Sequence, residues 1–312
     1  MSTKSIPTAD IQLYINTKKK LLDNFLEDLL NNPNLFKEPQ ELWDAIRYSL
    51  LNGGKRLRGV LCLTTLESLT NKNNDSFDTD DLLTAASLEI IHAMSLIHDD
   101  LPSMDDDDLR RGKPSCHKAF SESTAILAGD AMLTLPFYLI SKQCTKLSDT
   151  QKLSIIQTLS FTTSFALVPG QIMDLAIKEK NIELNKLEKI YANKTAELIK
   201  VSILCGAYLS PNNIPQAKET INYLSNYGSK IGLAFQIIDD ILDETSDTKT
   251  LGKTSGKDKL QNKPTYPMLL GIDNSRKIAN ELINDASSDL NKVNLKSQNL
   301  QFLAQFILNR IN

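Results

Sequence analysis

Residues 231–243 read IGLAFQIIDDILD. Gln236, Asp239, Asp240 and Asp243 stand at i, i+3, i+4 and i+7, which is one face of an α-helix. Phe235, Ile237, Ile238, Ile241 and Leu242 cover the other faces. A polar stripe within so apolar a helix has to face something polar, because carboxylates buried alone cost too much. Ile231, Ala234, Ile238, Ile241 and Leu242 keep the three- and four-residue spacing of a core-facing helix.

The same spacing recurs away from this stretch. Leu83, Ala86, Ile90, Met94 and Ile97 make one stripe, and Leu187, Ile190, Leu198 and Val201 carry the pattern through 186–207. Glycine and proline are sparse, 12 and 11, and no run of short alternating strands interrupts the helical pattern. Turn chemistry clusters at Asn31–Pro33, Asn71–Asp80, Ser210–Pro215 and Ser246–Lys263. These features predict an all-α chain. No repeat, low-complexity tract or linker divides it, so residues 1–312 read as a single domain with about the first eight residues frayed.

Composition narrows the function classes. Thirty-five basic and 38 acidic residues give a formal charge of −3, which argues against non-specific nucleic-acid binding. Cys62, Cys116, Cys144 and Cys205 form no CxxC pair, so they read as reduced core thiols rather than a disulfide framework or zinc site. The opening MSTKSIPTADIQ lacks the apolar core of a signal peptide. The longest apolar stretch, 125–140, is broken by Gly129, Asp130 and Pro136, so no bilayer span is expected. A cytoplasmic protein without stable membrane insertion is the expectation.

A second acidic cluster, HDDLPSMDDDD, spans 98–108. Glu89, His92 and Asp99 share roughly one face of the helix that ends there. Pro102 then disturbs the helix, so helical geometry does not place Asp105. An EF-hand is excluded: neither Asp99 nor Asp105 starts a loop with a sixth-position glycine or twelfth-position glutamate. Carboxylates are hard oxygen ligands, and magnesium is typically held by one or two of them plus substrate phosphates. Two such clusters facing each other would hold metal when a phosphate fills the gap. Asp106–Asp108 by themselves read more readily as solvated surface.

Cations are grouped separately. Lys55, Arg56 and Arg58 follow a Gly53-Gly54 turn, and Arg110, Arg111 and Lys113 follow the first acidic cluster. Lys194-Thr195 sits mid-helix, and Lys253, Lys257 and Lys263 follow the second cluster. Arginine forks match phosphate oxygens and lysine adds a point charge. Gly252-Lys253-Thr254 is not a P-loop, because Asp247 stands where the first glycine belongs and a helix, not a strand, precedes it. No GxSxG, HExxH or nucleophile–base pair is present. His98 and His117 read as structural, whereas His92 shares the Asp99 face and reads as a substrate contact.

Seven stretches in order carry a family resemblance: GGKRLRG (53–59), SLIHDDLPSMDDDDLRRGKPSCH (95–117), AILAGDA (125–131), GQIMDL (170–175), NKTAELI (193–199), AFQIIDDILD (234–243), and TLGKTSGKD with KPTYPMLLG (250–271). The chain resembles the trans-isoprenyl diphosphate synthases, most of all the bacterial farnesyl diphosphate synthases. The resemblance implies a homodimer, each subunit a bundle of roughly ten or more helices around a deep central cavity. It implies Mg2+ as cofactor, three ions per site with Mn2+ able to substitute. Asp99, Asp105 and Asp239 would be ligands, with Asp100 and Asp243 behind them. Arg110, Lys194, Thr195, Gln236 and Lys253 would hold the allylic diphosphate, and Lys263 would be a further substrate-binding residue. Lys55, Arg58, His92 and Arg111 would hold isopentenyl diphosphate, and Gln171 and Asp174 would line the same cavity. Asp240 joins Asp99, Asp100, Asp105, Arg110, Lys194, Asp239, Asp243 and Lys253 as a catalytic candidate.

The implied reaction ionises the allylic diphosphate, adds isopentenyl diphosphate to the cation and loses a proton to the departed diphosphate. It needs no protein nucleophile. Four residues between Asp100 and Asp105 match the bacterial and plant form, and Gly59 stands where the family usually has proline. Met94 and Ser95, one turn before Asp99, occupy the chain-length position. Farnesyl diphosphate is the expected product, with geranylgeranyl diphosphate as the alternative. A class I terpene cyclase is disfavoured by Asp239–Asp243 and GGKRLR, and a non-catalytic partner subunit by retention of both acidic clusters. The lysine-rich stretch 246–263 is the candidate for closing over substrate.

Overall fold

The computed structural model describes residues 8–177, 182–211, 217–245, 263–293 and 295–309. Among these the architecture is helical: α1 (Thr8–Leu30), α2 (Gln40–Leu51), α3 (Leu57–Leu69), α4 (Thr79–Asp99), a short α5 (Cys116–Ala119) and α6 (Glu122–Tyr138) form the first half. Then come α7 (Asp149–Thr162), α8 (Val168–Leu175), α9 (Leu184–Tyr191), α10 (Glu197–Leu209), α11 (Ala217–Thr245), α12 (Tyr266–Leu270), α13 (Ile272–Leu290) and α14 (Gln298–Leu308). Thr8, expected to be frayed, opens α1. The closing candidate 246–263, save Lys263, lies outside the described residues, as do Lys253 and Lys257.

The stripes define the core. Leu83, Ala86, Ile90, Met94 and Ile97 are all buried, as are Ile231, Ala234, Ile238 and Ile241. α3 is buried on nearly every face, because α1, α4, α10 and α14 surround it. α10 packs between α3 and α11, α13 covers the outer side of α11, and α4 lies against α6. The start of α4 is fixed by a capping box, in which Asp78 accepts from the Asp81 backbone N–H and the Asp81 side chain accepts from that of Asp78. The four cysteines are buried free thiols, and burial pushes the thiols of Cys62 and Cys205 up.

Three wide π turns interrupt the α-helices: π1 (Leu139–Gln143) after α6, π2 (Thr163–Leu167) between α7 and α8, and π3 (Ala192–Ala196) between α9 and α10. The stretch read as one helix over 186–207 is thus continuous but locally widened at π3. Continuity through π1 and π2 also has a consequence the broken hydropathy did not suggest. Glu122–Gln143 and Asp149–Leu175, 22 and 27 residues, are by length and apolarity long enough to cross a bilayer, each with only part of its surface buried. Asp130 and Pro136 break the apolar run in sequence without ending the helix.

A second departure from the sequence reading is a two-stranded hairpin, β1 (Leu109–Arg110) with β2 (Lys113–Pro114), paired antiparallel. Its two-residue turn is Arg111-Gly112, with φ of +55° and +77°, as hairpin turns that match strand twist require. Strands this short leave no period to read.

Candidate active site

The helices enclose a cavity of about 640 Å³, within the range of small-molecule sites. Lys55, Arg58, His92, Met94, Ser95, Asp99, Asp105, Arg110, Arg111, Gln171, Asp174, Lys194, Thr195, Gln236, Asp239, Asp240, Asp243 and Lys263 all line it. Of the residues singled out from sequence, two are missing from the lining. Lys253 lies outside the described residues, and Asp100 sits behind the wall, 2 % exposed.

Local structure accounts for the first acidic cluster. α4 ends at Asp99, and the chain folds back on itself: Asp105 N–H donates to the Asp99 carbonyl at 2.9 Å and Asp107 N–H to that of Asp100 at 3.2 Å. This reversal, rather than helical periodicity, brings Asp105 beside Asp99. Asp100 accepts from Arg110 Nε through both oxygens, at 3.0 and 3.1 Å. Asp107 adds a contact to Arg110 at 3.3 Å. Asp100 and Asp107 therefore aim the Arg110 fork: Asp100, expected behind the ligands, is engaged by Arg110, and Asp107, which by charge pattern alone reads as solvated surface, is buried and lines the cavity. A charge run does not reveal which of its members turns inward.

Arg111 reaches across to the Gly53 carbonyl. A Cβ on Gly54, whose φ is +106°, would meet the Arg111 guanidinium carbon at 2.7 Å, so this turn and Arg111 require glycine there. Arg56 also lines the cavity, but it is 3 % exposed and its guanidinium is engaged by Asp23 at 2.7 Å and by the Leu50 carbonyl at 2.7 Å. Burial lowers the Arg58 guanidinium to about 10 against the pull of Glu89, and its Nε is buried without a hydrogen-bond partner. Burial, then the surrounding Arg58, Arg111, Arg110 and Arg56, pushes His92 well below its ordinary range. His92 is a neutral imidazole among arginines. Glu89, which accepts from Gly59 N–H at 2.9 Å, supports this basic end.

The opposite wall is built on α8, π3 and α11. Lys194 donates to Asp174 at 2.7 Å and Thr195 to Gln236 at 2.8 Å. Burial favours the neutral form of Asp174, but Lys194 and Lys263 outweigh it and hold the carboxyl below its usual value. Lys263 spans the cavity, 3.2 Å from Asp105 and 3.3 Å from Asp174. α11 can approach π3 this closely because Gly232 faces Ala196; a Cβ there would meet Ala196 Cα at 2.6 Å. Gln171, on α8, has both amide atoms buried without a hydrogen-bond partner. Such orphaned polar atoms on a cavity wall suit a polar ligand.

The acidic side chains of the two motifs fit a hard divalent cation in type, and they share one cavity. They face each other from different elements. Among the described residues the trio of possible ligands within 4.8 Å of one another is Asp106, Asp108 and His117 instead. Asp108 there already pairs with Lys118 at 2.9 Å. His98 Nε2 donates to the Ile126 carbonyl, 3.2 Å away, and His117 pairs with Ser115.

An all-α cavity with acidic faces from two helices, a basic end and an apolar floor defines a class of diphosphate-handling fold. The polyprenyl synthetase family model matches residues 39–300, and the chain belongs to that family. It is 42 % identical over 272 residues to the farnesyl diphosphate synthase of Escherichia coli K12, covering 86 % of this chain and 88 % of that one. It is 39 % identical over 306 residues to a chloroplastic geranylgeranyl pyrophosphate synthase of Catharanthus roseus, covering 97 % and 82 %. A crystal structure of a Helicobacter pylori geranyltransferase complexed with magnesium and isoprenyl diphosphate superposes with a TM-score of 0.81 at 32 % identity, covering 98 % and 99 %.

Proposed function

We propose that this chain is a Mg2+-dependent prenyltransferase that condenses isopentenyl diphosphate head-to-tail with dimethylallyl and then geranyl diphosphate, giving farnesyl diphosphate. The observation that carries the reading is one cavity in which acidic faces from α4 and α11 oppose each other, beside a separate basic end and above the buried Met94. The similarity to farnesyl diphosphate synthases supports it.

Asp99, Asp105, Asp239 and Asp243 hold the metal in this reading. The bound metal supplies positive charge to the leaving diphosphate and so favours cleavage of the allylic C–O bond. Lys194, Thr195, Gln236, Lys263 and Arg110 hold the same diphosphate, with Arg110 aimed by Asp100 and Asp107. Lys55, Arg58, Arg111 and the neutral His92 hold isopentenyl diphosphate, and Gln171 offers its amide from the opposite wall on α8. The homoallylic double bond attacks the allylic cation, and the departed diphosphate takes the proton. Preorganised cations act where negative charge develops, and the apolar walls keep water from the carbocation.

The chain is read here as one domain and a homodimer. Its partner surface is the apolar strip on α6 and α7–α8 that includes Leu127, Phe161, Phe165 and Ile172.

The test is product analysis. Purified protein with MgCl2 and isopentenyl diphosphate is offered dimethylallyl, geranyl or farnesyl diphosphate, and dephosphorylated products are resolved by length. A C15 ceiling is expected, with Met94→Ala extending the product to C20. A wild-type C20 product overturns the farnesyl assignment, and no condensation from any primer overturns the prenyltransferase reading.

A further inference from the structure

Asp240 stands beside Asp239 in the second acidic motif, yet its surroundings differ from those of a ligand turned only to the cavity. It is 5 % exposed. Its Oδ2 accepts from the Tyr191 hydroxyl and from the Tyr266 backbone N–H at 3.3 Å. Its Oδ1 accepts from Gln236 Nε2 at 3.0 Å. Gln236 Oε1 in turn accepts from the Thr195 hydroxyl at 2.8 Å. The Tyr191 and Tyr266 rings lie 5.8 Å apart, and the Tyr266 hydroxyl donates to Glu188 at 2.7 Å.

One buried carboxylate thus gathers four pieces of the molecule. Tyr191 closes α9, Thr195 lies in π3, Gln236 belongs to α11, and Tyr266 opens α12. Tyr266 follows Lys263 by only Pro264 and Thr265, and Lys263 bridges Asp105 and Asp174 across the cavity. A buried carboxylate is costly unless its acceptor capacity is used, and a network with several donors on it holds a tight geometry. We propose that Asp240 is a positioning residue rather than a metal ligand: through Tyr191 and the Tyr266 backbone it fixes where Lys263 stands, and through Gln236 it fixes Thr195. The proposal rests on the prenyltransferase reading above.

Steady-state kinetics on the full chain test it, with isopentenyl and geranyl diphosphates as substrates and MgCl2 titrated. Wild type, Asp240→Asn, Tyr191→Phe, Lys263→Ala and the pairwise combinations with Lys263→Ala are compared. Contacting residues in one network couple measurably. Asp240→Asn is therefore expected to lower kcat about tenfold or more, and Tyr191→Phe several-fold, with half-saturating Mg2+ unchanged. In the Lys263→Ala background Tyr191→Phe should cost less than about twofold, and Asp240→Asn should lose the larger part of its effect, the remainder acting through Gln236 and Thr195. Tyr191→Phe retains the ring beside Tyr266 and decides the matter if Asp240→Asn fails to fold by its melting curve. The proposal falls if Asp240→Asn raises the Mg2+ requirement many-fold while Tyr191→Phe matches wild type, or if their losses persist undiminished in Lys263→Ala. A wild-type enzyme that condenses nothing overturns the parent reading and this proposal with it.

Discussion

Asp99 and Asp239 reach the same cavity from α4 and α11, so each is expected to matter to rate far more than to stability. Removing one group that stabilises developing charge costs about 10²–10³ in kcat. Asp99→Ala and Asp239→Ala should each lose about that much with melting temperature essentially unchanged; near wild-type turnover in either would refute the ligand assignment. Arg58 makes a complementary prediction at the basic end. Arg58→Glu reverses a charge that faces His92 and Arg111 and should raise KM for isopentenyl diphosphate about tenfold or more, and that for geranyl diphosphate less. The opposite ranking would exchange the two diphosphate sites. Individual residues also mark where sequence reading ran short. Asp100 reads as standing behind the ligands and Asp107 as a surface charge, but Arg110, ten and three positions away, engages both. Which way a loop carboxylate turns is set by how the chain reverses after Pro102, and no local period encodes that.

At the scale of elements, the helix spacing of the core stripes was legible because burial repeats every turn or so of chain. The π turns were not, since one extra residue in a turn leaves the apolar spacing nearly intact. They bear on the site: π3 carries Lys194 and Thr195, and π2 contributes Leu167 to the cavity. The packing of α11 on α13 offers a separate test away from the chemistry. Asp289 accepts from Lys230 at 2.6 Å and from Lys292 at 3.1 Å. Burial raises its carboxyl, but the two lysines outweigh this and hold it below the usual range. A depressed folded value means stabilisation that is present above the unfolded pKa of about 4 and lost as pH falls through the folded value. Lys292 is half exposed, so solvent screens part of the interaction. Asp289→Asn is expected to cost about 1 kcal/mol at pH 7, a melting shift of ~2 °C. The difference from wild type should shrink as pH is lowered below 4; a gap independent of pH would show that the charge is not its source.

At the scale of the whole molecule, the apolar strip on α6 and α7–α8 is the feature that calls for a partner. Phe161 and Phe165 are 61 % and 69 % exposed and their rings touch, with centroids 5.1 Å apart. Val168 and Ile172 belong both to this strip and to the cavity lining, so the wall of the cavity there is only a side chain thick. Phe161→Glu with Phe165→Glu should convert a dimer to monomer in sedimentation equilibrium. A wild-type protein that is monomeric at micromolar concentration would overturn the second-copy assignment.

The sequence by itself determined the helices, the acidic face of α11, the place of Asp99 at the end of α4, the separate cation clusters and the apolar position of Met94. Each of these is written within a few turns of chain, where spacing alone sets which side a residue takes. Only the tertiary structure decided which cation meets which acid. Lys263 reaches Asp105 across 158 residues of chain, Arg111 spans to Gly53, and Asp240 is drawn into a buried cluster with Tyr191 and Tyr266. The physical reason is that such pairings depend on how closely helices approach, which steric fits such as Gly232 against Ala196 set, and on how far each pair is shut off from water. Neither quantity has a period in the sequence.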